Sequence, residues 1–108
     1  MVRTAATLVL LLLAQFGVAE AATHPPKFNI KSTCRQAQPL GANDKDVYQG
    51  CVQAEVEAQQ QLAKQWRTFK PDSQRTCTAD AVSDGAPSYV ELLTCLQFTK
   101  DAAALPEE

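Results

Sequence analysis

Apolar side chains recur at steps of three and four through one long stretch, at Tyr48, Cys51, Val52, Val56, Leu62, Ala63, Trp66 and Phe69. That spacing places them along one side of a helix and predicts an amphipathic helix from Asp44 to Phe69. Asn43 or Asp44 offers an acceptor to the first free backbone N–H groups, and Asp46 suits the positive end of the helix dipole. Pro71 biases Lys70 away from helical geometry and sets the end near Phe69. A helix of that length spans about 39 Å, too much for one short partner to cover. Gly50 costs about 1 kcal/mol relative to alanine, which tertiary contacts must offset. Glu55, Gln59, Gln60 and Gln61 interrupt the stripe, so the middle of the helix is expected to be wetter than its ends.

The rest of the pattern is short pieces that fold back onto this helix. Residues 22–29, ATHPPKFN, read as a loose extended arm stiffened by Pro25-Pro26. Ile30 to Gln38 predicts a short helix ended by Pro39 and Gly41. Pro71 suits the first turn of a new helix, so PDSQRTC, Pro71 to Cys77, predicts a short third one. Thr78 to Ala86 contains Asp84-Gly85 and reads as a turn-rich loop. Ser88 followed three residues later by Glu91 is a capping-box signature just before Leu92-Leu93. A fourth helix is expected from Tyr89 to Ala104, apolar on more than one side and so in need of several neighbours. No stretch shows sustained strand alternation. The expected fold is all-α: a small disulfide-stapled domain over 30–105, with 106–108 as a tail.

Length and composition add a compartment. Arg3 precedes an apolar run from Ala5 to Phe16, and Ala19-Glu20-Ala21 offers small residues at the two positions a signal peptidase reads. Residues 1–21 are therefore expected to be a signal peptide. The run is too short for a membrane anchor, which takes about 20 apolar residues. Without Arg3 and Glu20 the chain keeps nine Lys and Arg against eleven Asp and Glu. That net charge of −2 argues against a general nucleic-acid binder, which usually shows a concentrated basic face. No later segment is apolar enough to span a membrane. Fewer than 90 residues bury only a modest core, so covalent staples are expected.

Four cysteines supply them, and an even count in an exported chain reads as two disulfides in an oxidising compartment. Sixteen residues lie between Cys34 and Cys51 and seventeen between Cys77 and Cys95. Cys51-Val52-Gln53 and Cys95-Leu96-Gln97 form similar triplets, consistent either with two copies of a short-helix, long-helix unit or with coincidence. Helix lengths make Cys51–Cys77 the hardest pairing, because the chain returns only about 12 Å of the roughly 27 Å separating Cys51 from the end of the long helix. The local set, Cys34–Cys51 with Cys77–Cys95, needs only short fold-backs and is expected first. The crossed set, Cys34–Cys77 with Cys51–Cys95, comes next.

With Tyr48-x-x-Cys51, Glu55, Ala58, Leu62, Trp66, Phe69, Arg75, Cys77 and the segment PSYVELLTCLQ from Pro87 to Gln97, the chain resembles a family of small exported four-cysteine helical proteins of alphaproteobacteria. The resemblance runs over nearly all of 22–108 and implies a periplasmic, disulfide-bonded helical fold. It carries over no catalytic residues.

The residues point away from an enzyme. No C-x-x-C is present for thiol redox chemistry, and the isolated cysteines lack the paired spacing of a zinc site. His24 is the one histidine and sits in the arm, far in sequence from any nucleophile it would activate. Glu55 and Glu57 lie two apart on a helix, point to different faces, and read as a solvated pair. No cofactor is expected. Trp66, Phe69, Tyr89 and Phe98 read either as core or as an apolar binding surface. Cleavage after Ala21 would expose Ala22-Thr23-His24, whose amine, two backbone nitrogens and imidazole suit square-planar Cu(II) or Ni(II). The expected role is a non-enzymatic periplasmic protein acting through a protein or envelope partner. The alternatives are a stress chaperone or small apolar-ligand carrier and, third, N-terminal metal binding.

Overall fold

The computed structural model describes residues 22–37 and 44–106. The leader, the expected Asn43 cap, the Pro39 and Gly41 expected to end the first helix, and the last two residues of the tail lie outside them; that helix already ends at Gln36, before the expected Gln38, with Ala37 extended. Among the described residues there are four α-helices and no strand: α1 (Ile30–Gln36), α2 (Asp44–Gln65), α3 (Pro71–Val82) and α4 (Tyr89–Ala104). None is long and apolar enough to cross a membrane.

Helix α2 is the spine. Its α-helical hydrogen bonding stops at Gln65 and tightens into a 3-10 turn over Trp66–Thr68 before Phe69 turns extended. The expected single helix to Phe69 is therefore finished by a narrower turn. Gln74 braces this turn: its Nε2 donates to the carbonyls of Trp66 at 2.8 Å and Phe69 at 3.3 Å. The Phe69 N–H also donates to the Trp66 carbonyl at 3.2 Å and closes the turn, while the Phe69 carbonyl, past the last turn, takes its donor from Gln74. Pro71 then sits in the first turn of α3, as its missing N–H allows.

Helix α3 runs five residues past the expected end at Cys77, so the segment read as loop from Thr78 begins as helix. Nothing between Thr78 and Val82 breaks a helix, and Ala81 joins Cys77 in the core one turn later. The break comes at Gly85, whose φ of +80° is a left-handed conformation that glycine accepts at no steric cost. Asp84 Oδ1 accepts from the Ala86 N–H and closes the turn. The Ser88 N–H donates to the Ala81 carbonyl, which leads directly into α4.

The core is made by the second half of α2, α3 and α4: Ala58, Leu62, Trp66, Phe69, Cys77, Ala81, Tyr89, Leu92, Leu93 and Leu96. Here the middle of α2 departs from expectation. Glu55 and Ala58 are buried, while Val52 and Val56 are half-buried and Ala63 is exposed. The true stripe runs Glu55, Ala58, Leu62, Trp66 and Phe69, so a carboxyl group occupies a core position. Glu57 is exposed, and the two glutamates are not a solvated pair.

Both disulfides join neighbours in sequence. Cys34–Cys51 ties α1 to the first half of α2, and Cys77–Cys95 ties α3 to α4, with Cα atoms 5.5 and 5.6 Å apart. This is the locally paired set, and no free cysteine remains.

Candidate binding groove

The arm before α1 is packed rather than loose. Its Ala22 carbonyl accepts a hydrogen bond from Trp66 Nε1 at 2.8 Å, and the Phe28 N–H donates to the Tyr89 hydroxyl at 2.8 Å. The Phe28 ring lies 4.8 Å from the Tyr89 ring, and Phe28 and Ile30 pack against the core. Two buried aromatic side chains thus hold the arm by its backbone, and Pro25-Pro26 keeps the span between them extended. Pattern reading misses this, because the arm contributes backbone groups and only one large apolar side chain.

Between the arm and the outer face of α3 lies an apolar groove of about 430 Å3. Ala22, His24 and Pro26 form one wall, Trp66 the base, and Thr78, Ala79 and Val82 the other wall. Gln74 and Arg75 also line it. Arg75 is ion-paired with Asp72 one turn earlier on the exposed surface. Gln74 is buried, and while its Nε2 serves the end of α2, its Oε1 has no partner. Reversing the amide would aim its oxygen at two carbonyls, so the hydrogen bonds fix its orientation. The sequence signal for Gln74 is faint: a polar side chain one turn into a helix whose entry is a proline.

A second polar assembly sits at the start of α4. The Ser88 hydroxyl donates to Glu55 Oε1 at 2.5 Å, and the Tyr89 N–H donates to Glu55 Oε2 at 2.6 Å. Ser88 Oγ also accepts from the Glu91 N–H at 3.2 Å, the expected cap. Only half of the capping box forms, because the Ser88 N–H goes to Ala81 instead of to Glu91. Glu91 has its pKa raised by desolvation, then by Asp84 and Glu55. With both Ser88 and Glu55 committed to the helix end, this assembly is a joint between α2 and α4. Its signal was present in the sequence: Glu55 stands three, seven and eleven residues before Ala58, Leu62 and Trp66, on one stripe.

The four aromatic candidates separate. Trp66, Phe69 and Tyr89 are buried and form core, not apolar surface, while Phe98 is 74% exposed. Lys100 stands over the Phe69 ring at 5.5 Å. Ala22 and His24 line the groove, Thr23 lies with His24 in the neighbouring cavity, and the His24 imidazole has no hydrogen-bond or ion-pair partner among the described residues. No family model, curated protein or solved structure matches the chain.

Proposed function

We propose that this is an exported, non-enzymatic binding protein of the cell envelope, which works by seating an apolar side chain of a protein or envelope partner in the groove between the arm and α3. The apolar run and Ala19-Glu20-Ala21 support export, and two disulfides suit an oxidising compartment. The observation that carries the binding reading is the groove: a concave apolar surface of Pro26, Pro71, Ala79 and Val82 over the buried Trp66, bounded by elements that are held rigid by hydrogen bonds and a staple. Its volume also falls within the range of small-ligand pockets, roughly 300–1,000 Å3, which favours an apolar-ligand carrier as the second reading. The chaperone reading has less support, since α4 places Tyr89, Leu92, Leu93 and Leu96 in the core.

Ala79 is exposed on the groove wall, and arginine there fills the groove while keeping helix propensity. Affinity capture from the periplasm with oxidised protein is expected to retain a partner on the wild type and release it from Ala79→Arg. Equal capture by both, with unchanged circular dichroism, sinks the groove reading. A saturable change in Trp66 emission with a fatty acid, absent in Ala79→Arg and unaccompanied by protein capture, selects the carrier.

A further inference from the structure

This inference rests on the export reading proposed above: cleavage after Ala21 would leave Ala22 as a free amine, Thr23 with an amide hydrogen, and His24 at the third position. We propose that this terminus is a square-planar Cu(II) or Ni(II) site docked on Trp66. The ligands are the Ala22 amine, the amide nitrogens of Thr23 and His24, and His24 Nδ1, a nitrogen set that suits these two ions. The chelate closes two five-membered rings along the backbone and one six-membered ring through the imidazole, so histidine is required at the third position. Metal entry displaces a proton from the Ala22 ammonium and one from each of the two amides. Two amidate charges balance the dication, leaving a neutral core.

Three features of the fold favour that chelate. The Ala22 carbonyl oxygen, which is not a metal ligand and points outward from the ring, is the atom that Trp66 Nε1 holds at 2.8 Å. The contact therefore persists when the nitrogens turn inward to the metal. The His24 imidazole is exposed and uncommitted, so no existing bond must break. Lys64 and Arg67 share a cavity of about 310 Å3 with Thr23 and His24. These cations disfavour a hydrated dication nearby but do not oppose a neutral chelate. No group of three or more His, Cys, Asp or Glu side chains able to hold a metal exists among the described residues, so the backbone supplies the donors.

Trp66 is the single tryptophan, which makes its emission a local reporter. The chain is produced with its own leader in an exporting host, its N-terminus is read by mass spectrometry, and CuCl2 is titrated in. One copper per chain is expected, with the visible band of amide-coordinated Cu(II) and parallel loss of Trp66 emission. Thr23→Pro keeps His24 but has no amide hydrogen to give up, and it should lose both signals, as should the uncleaved chain. A terminus other than Ala22, or a visible band that survives in Thr23→Pro, overturns the site. The band without loss of emission overturns its docking on Trp66.

Discussion

The two stapled pairs, α1 with α2 and α3 with α4, have nearly equal loops and Cα spacings, yet they sit in different surroundings. Cys77 is fully buried within the main cluster, and Cys95 packs on its edge. Cys34 is buried outside that cluster, and Cys51 is half-exposed on the first half of α2, which contributes nothing to the core. The first staple holds a seven-residue helix that apolar burial alone does not hold, aided by Ile30 and the Thr33 hydroxyl donating to the Pro87 carbonyl. The second reinforces a contact that burial already makes. A disulfide restrains the unfolded chain similarly in both places; what differs is how much native structure depends on it.

The largest effect should come from Trp66→Ala, about 3–5 kcal/mol, because the ring is core, the base of the groove and the anchor of the arm. Chemical denaturation checks it, and a cost near zero would show that the core does not lie where the comparison puts it. Replacing Cys77 and Cys95 together by alanine should lower global stability by about 3 kcal/mol in the chain-entropy model. The same change at Cys34 and Cys51 should cost less globally, because the native state regains freedom in α1 as well. Hydrogen exchange should then accelerate over Thr33–Gln36 with α4 unchanged, and equal midpoints for the two variants would erase the distinction.

Glu55 tests the joint between the halves. Glu55→Ala leaves the Ser88 hydroxyl and the Tyr89 N–H without an acceptor in a buried place, which should cost about 2–3 kcal/mol. Ser88→Ala removes the cap and should cost about 1–2 kcal/mol, read from thermal midpoints. The smallest effect belongs to Glu91. Its folded pKa lies above the ordinary 4.5, so the folded state prefers the protonated form, and stability falls as pH rises from 4.5 through the folded value. Glu91→Gln should therefore raise the midpoint slightly at neutral pH, with the gain vanishing below pH 4.5. A gain that persists in acid would have another cause.

The helix class, the start of α4 at Ser88, the proline entry to α3 and the local disulfide pairing were all legible in the chain, because each rests on neighbours within a few turns. Periodicity, a capping side chain, a fixed φ and the rise of a helix are local quantities. Tertiary structure decided the rest. Glu55 reads as a solvated charge until α4 brings Ser88 and Tyr89 onto it across 33 and 34 residues. The arm reads as loose because its partners, Trp66 and Tyr89, lie 44 and 61 residues away and bind its backbone, which carries no sequence signature. Helix α3 continues past Cys77 because Ala81 finds a place in the core, and an alanine declares no such preference by itself. The groove exists only where arm, Trp66 and α3 meet. A cavity is a property of elements packed around it, and no segment alone encodes one.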